Sequence, residues 1–210
     1  MKKLEHGRSM VEMLGVLAII GVLSVGAIAG YQKAMMKYKL NKQSQQLSHL
    51  LNVLYRHKAS WGTNPPSMNL VPYFKKLGEI PKEMIKDETN NLYDVFQTGI
   101  DMATNGCGSN GCQEVKLIYR INNNNAFEIC QNVYNVVKAH NSDLHAVLTG
   151  KKLEAGDNVT YDYRFMGNKY CDNSIYPCLK DITNDTVYDV CKSCDETNIC
   201  YFYMLYLIAD

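Results

Sequence analysis

The chain has 210 residues, with 22 Lys+Arg against 21 Asp+Glu and a formal net charge of +1. That length holds one ordinary domain plus an appendage, and the balanced charge gives no electrostatic case for nucleic-acid binding. A content of 46% hydrophobic and 20% charged residues excludes a wholly disordered chain, but the distribution is uneven. No charged residue occurs from Met13 to Tyr31, and the chain beyond Tyr31 is polar and rich in Asn, Tyr and Lys.

The N-terminus carries Lys2 and Lys3, then Gly7-Arg8-Ser9-Met10-Val11-Glu12, then the apolar run. As a helix, Met10–Tyr31 is about 33 Å long, enough to cross a bilayer core. A cleaved secretory signal is the alternative, with Ala27-Ile28-Ala29 as its small-x-small cut site. The run is long for a signal, and Glu12 at its start is out of place in a basic n-region. A carboxylate at the edge of a span calls for a partner. A cut after Gly7 would create an α-amino group about one helical turn from Glu12, on the same or a neighbouring copy. The other account of Glu12 is a carboxylate stabilising the helix N-terminus through the macrodipole, by about 0.3–1 kcal/mol.

This segment resembles the prepilin N-terminus of type IV pilins and type II secretion pseudopilins. Lys2 and Lys3 match the family's basic leader, Gly7 its cut site and Glu12 the assembly carboxylate at the fifth mature position. Ala27-Ile-Ala-Gly-Tyr31-Gln32 is similar to a stretch late in the family's apolar helix. The resemblance covers about the first 35 residues of the chain. Two positions differ: Arg8 stands where the family usually has Phe or Met, and the helix-kinking Pro is absent.

The resemblance implies a structural subunit rather than an enzyme, processed between Gly7 and Arg8, methylated at the new terminus, and polymerised through its helix into a pilus or pseudopilus. It implies self-association and other pilin-like subunits as partners, together with a prepilin peptidase, an inner-membrane assembly platform and, before assembly, membrane lipid. The location implied is the bacterial inner membrane, with a cytoplasmic N-terminus and a periplasmic head. The expected division is a leader at 1–7, an assembly segment at 8–31, an amphipathic helical half at 32–60 and a globular head at 61–210.

Neither Gly nor Pro occurs from Tyr31 to Ser60. Met36, Leu40, Leu47, Leu51 and Leu54 share a face, with a polar gap at Gln43 and Ser44. The pattern predicts one helix from about Ser9 to about Lys58, its outer half burying a Leu stripe. Trp61-Gly-Thr-Asn-Pro-Pro66 ends it. Residues 61–113 read as an irregular connection with a short helix at about Lys82–Asp87.

Glu114–Ile121 alternates as a half-buried strand. Phe127, Cys130, Val133, Tyr134 and Val137 predict a helix with Asn125 at its N-cap. Val159–Phe165 alternates again, and Gly167-Asn168 supplies a turn. Cys200–Ile208 reads as a strand apolar on both faces, either central or facing a neighbour. The fold class expected is α+β: a long N-terminal helix on a mainly antiparallel sheet, braced by disulfides.

All eight cysteines lie in the C-terminal half: Cys107, Cys112, Cys130, Cys171, Cys178, Cys191, Cys194 and Cys200. Downstream of a membrane-targeting segment they read as a disulfide framework in an oxidising compartment. The short loops favour Cys107–Cys112 and Cys171–Cys178. Cys191, Cys194 and Cys200 would then share the remaining bonds with Cys130, pinning the last strand to the helix near Ala126.

Cys191-x-x-Cys194 also supports a different reading, a signal-anchored periplasmic thiol oxidoreductase. Its setting, between Thr186–Val190 as a strand and Asp195–Asn198 as a turn, is not that of a redox motif opening a helix. A zinc site with Cys107 and Cys112 has the wrong spacing. His140 and His145 with Cys130 make a poor metal set. Asp181-Ile-Thr-Asn184-Asp185-Thr186 resembles a cation loop only loosely. No cofactor motif occurs.

Overall fold

The computed structural model describes residues 10–62, 64–86, 90–109, 111–152, 159–172, 175–195 and 198–208. Helix α1 spans Met10–His57 and ends in a 3-10 turn at Lys58–Trp61. The chain divides into two compact units, one through Lys39 and one from Leu40 onward.

The second unit is α+β. Six antiparallel strands form one sheet in the order β1-β2-β3-β6-β4-β5. They are β1 (Leu92–Tyr93), β2 (Gly99–Asn105), β3 (Glu114–Ile121), β4 (Ala146–Lys152), β5 (Val159–Met166) and β6 (Cys200–Leu207). Helices α2 (Val71–Leu77), α3 (Ala126–Ala139) and α4 (Asn184–Cys191) complete it.

Strand alternation sorts the residues of β3. Val115, Leu117, Tyr119 and Ile121 are fully buried, while Lys116, Ile118 and Arg120 point to the other face and are half-buried. Leu47, Leu50, Leu51, Val53 and Leu54 of α1 join this core, as do Ile129, Val133, Tyr134 and Val137 of α3. A 3.6-residue period makes those spacings one face of each helix. The expected Leu stripe is therefore core at its C-terminal end, whereas Met36 and Leu40 are half-buried. Strand β6 is central, between β3 and β4.

Several elements differ from the sequence reading. Residues 61–113 contain α2, β1 and β2 in place of an irregular connection, and a 3-10 turn at Lys82–Met84 stands where the short helix was expected. Residues 87–89 lie outside the described residues. Thr186–Val190 is helix α4, not strand: Thr183 Oγ1 accepts from the Thr186 N–H at 3.2 Å and starts the helix. Asn125 holds the cap position of α3, but its side chain does not cap. Strand β5 is an edge strand, with Tyr161 and Tyr163 exposed and only Phe165 buried among the described inward candidates. The turn at Gly167 is a close approach: a Cβ there would lie 1.7 Å from the Leu144 carbonyl oxygen.

Candidate assembly helix and disulfide framework

The first turn of α1 carries Glu12, where a carboxylate complements the partial positive charge of the helix N-terminus. From Met10 to Tyr31 every residue is exposed. Leu14, Leu17, Ile19, Val22, Leu23 and Val25 are each more than half exposed, an apolar surface running all round the helix. Among the described residues one helix is long and apolar enough to cross a membrane, and its apolar window is this one. A helix apolar on every side is suited to lipid or to packing inside an assembly. Gly7 and Arg8, the expected processing site, lie outside the described residues.

Within the second unit, polar side chains bind the helix to the sheet. Gln43, 1% exposed, donates from Nε2 to the Tyr119 hydroxyl at 2.6 Å, and that hydroxyl donates to Asp94 Oδ2. Asn132 of α3 donates to Gln43 Oε1 at 2.7 Å and to the Leu40 carbonyl at 2.9 Å. The Val95 N–H donates to Gln46 Oε1 at 3.0 Å.

Burial holds Asp94 above the ordinary carboxylate range, in spite of hydrogen bonds from Tyr119 and from the Thr98 and Phe96 N–H groups. Burial, reinforced by the Asp94 carboxylate, holds Tyr119 well above the ordinary phenol. The polar gap in the Leu stripe is thus a buried network. Sequence reading missed it because Gln and Ser in a helix normally mark a solvated face.

The cysteines form four bonds: Cys107–Cys112, Cys130–Cys191, Cys171–Cys178 and Cys194–Cys200. The two local pairs are as expected. The other two pin β6 to α3 in two steps, through α4: Cys191 at the end of α4 bonds to α3, and Cys194 bonds to the first residue of β6. Cys191 and Cys194 thus have different partners, and no cysteine is free. Cys191 and Cys194 are therefore not bonded to each other. Cys130 is equally committed and is no metal ligand with His140 and His145. Asp181 belongs to a 3-10 turn and Asp185 to the first turn of α4. No group of His, Cys, Asp and Glu among the described residues is arranged to hold a metal.

At the other end of β3, Glu114 Oε1 accepts from His145 Nδ1 at 2.6 Å, and Oε2 accepts from Asn105 Nδ2 at 2.8 Å. Burial pushes this carboxyl up, but those two bonds and the charges of His145 and Arg164 outweigh it and hold it below the ordinary range. Asn105 in turn accepts from Lys116 Nζ at 3.0 Å. No protein-family model matches the chain, and no curated protein matches it significantly.

Proposed function

We propose that the protein is a pilin-like structural subunit, cut after Gly7 and assembled through Met10–Tyr31 into a pilus or pseudopilus. The observation that carries this reading is an exposed apolar helical stretch at the start of the same helix whose C-terminal part contributes Leu47, Leu50, Leu51 and Leu54 to the core of a disulfide-braced α+β head.

The mechanism uses two solvents. In the bilayer the apolar surface faces lipid, which stores the subunit. In the filament the same surface faces copies of itself or of other pilin-like subunits. Apolar contact does not choose a stagger between helices, because it is non-directional. The Glu12 carboxylate paired with the α-amino group of processed Arg8 on a neighbouring copy sets it. The N-terminus is then cytoplasmic, where the peptidase and assembly platform act, and the head folds in the periplasm, where its disulfides form.

The test is Glu12→Ala in the native host. Membrane insertion should persist, because it depends on the apolar stretch, while polymer formation should be lost. Intact-mass measurement of membrane-extracted protein should show loss of Met1–Gly7. Normal polymers from the alanine variant would remove the registry role, and a cut beside Ala29 would make the head a free secreted domain.

A further inference from the structure

Gln97, in the turn from β1 to β2, has φ +66°, and it is the one non-glycine residue with positive φ among the described residues. The Gln97 N–H donates to the Asp94 carbonyl at 3.0 Å, and the Asp94 N–H donates to the Thr98 carbonyl at 3.2 Å. In a hairpin link of this kind the left-handed position ordinarily takes Gly, which has no Cβ to strain. The Gln97 side chain does reach the Asp94 carbonyl, but at 3.4 Å and to an oxygen its own N–H already occupies. That contact is a weak reason for glutamine.

The rest of the turn is fixed from below. Asp94 Oδ1 accepts from the Phe96 N–H at 2.9 Å and the Thr98 N–H at 2.8 Å, while Oδ2 takes the Tyr119 hydroxyl. Strained backbone held by an over-determined frame is where a side chain is positioned for use.

Gln97 lines a cleft of about 320 Å3 together with Asn91, Tyr93, Arg120 and Asn122. Three amides each bring donors and an acceptor. The Arg120 guanidinium lies over Gly99: a Cβ on that glycine would sit in van der Waals contact with Nε and Nη2, at 3.4 Å. Its Nη1 is 2.5 Å from Asp101 Oδ2, so the charge is paired while other donors remain. Lys86 Nζ stands 4.7 Å from the centre of the Tyr93 ring.

A wall of amides and a neutralised Arg–Asp pair complement the hydroxyl groups of a sugar. The volume is at the lower end for small-ligand sites, which start at about 300 Å3. The one cation lining the cleft among the described residues, Arg120, is already paired with Asp101, which disfavours a polyanion. We propose that this cleft binds a neutral saccharide. The proposal is independent of how the chain assembles.

The test titrates the full chain in detergent micelles with lactose, cellobiose and diacetylchitobiose, followed by saturation-transfer NMR, with an oligothymidylate as the anionic competitor. At least one disaccharide should bind at millimolar concentration. Gln97→Gly should melt no lower than the parent, because it relieves the backbone, yet bind about fivefold or more weakly. Asn122→Ala, at an exposed position beyond β3, should weaken binding without lowering the melting temperature. The proposal is overturned if none of the three disaccharides binds, if Gln97→Gly and Asn122→Ala both keep the parent's affinity, or if the oligothymidylate binds in preference to every sugar.

Discussion

Removing Cys130–Cys191 should destabilise the head more than removing Cys107–Cys112, and the sequence separations set the difference. The first bond joins residues 61 apart and the second residues 5 apart. In the chain-entropy account a cross-link restricts the unfolded chain more as its loop lengthens, giving about 4 kcal/mol for the long loop and about 2 kcal/mol for the short one. Cys130 and Cys191 are both fully buried, whereas Cys107 is exposed, so alanine at the first pair adds a packing loss in the same direction.

The double variant Cys130→Ala/Cys191→Ala should therefore be less stable than Cys107→Ala/Cys112→Ala by about 2 kcal/mol, or about 4–8 °C in melting temperature. Urea unfolding of the full chain in micelles measures this. The single tryptophan, Trp61, is a native reporter because its ring packs 4.7 Å from that of Tyr73. Non-reducing peptide mapping of the parent should first recover Cys130–Cys191 and Cys194–Cys200. Equal stability of the two double variants, or a less stable short-loop variant, would refute the claim that loop closure dominates this framework.

Tyr119→Phe should cost about 2–3 kcal/mol by the same urea assay, because it leaves Gln43 Nε2 and Asp94 Oδ2 buried without the hydroxyl they share. A loss near zero would mean the network adds nothing to the helix–sheet contact. Glu114 has a folded-state carboxyl below the ordinary range, so its contribution is present above the unfolded value and disappears as pH falls through the folded value. The stability of the parent should fall more steeply than that of Glu114→Gln from about pH 5 to about pH 3, measured by melting at each pH. Parallel profiles would assign the acid sensitivity elsewhere.

Features that depend on local periodicity and loop length were legible in the sequence. The unbroken apolar run defined the exposed half of α1, and the Leu spacing defined its buried half, because a helix converts spacing directly into a face. Strand β3 was legible for the same reason, since its alternation is complete over eight residues. Cys107–Cys112 and Cys171–Cys178 followed from short loops.

Tertiary contacts settled the features whose local pattern is weak or whose partner is distant along the chain. Strand β2 places Thr104 at an inward position and begins with Gly99. Strand β4 is interrupted by a register shift at Thr149/Gly150 and ends in two lysines. Neither carries a strong alternation, and both are strands because β3 and β6 pair with them. Thr186–Val190 looked like a strand because its Val and Tyr have high β-propensity. The Thr183 cap and the burial of Val187, Val190 and Cys191 on one face made it helical. The network of Asp94, Tyr119, Gln43 and Asn132 joins residues up to 89 apart. Such a site exists only once α1 and α3 lie on the sheet, because the burial that makes those polar groups need one another is itself a product of the fold.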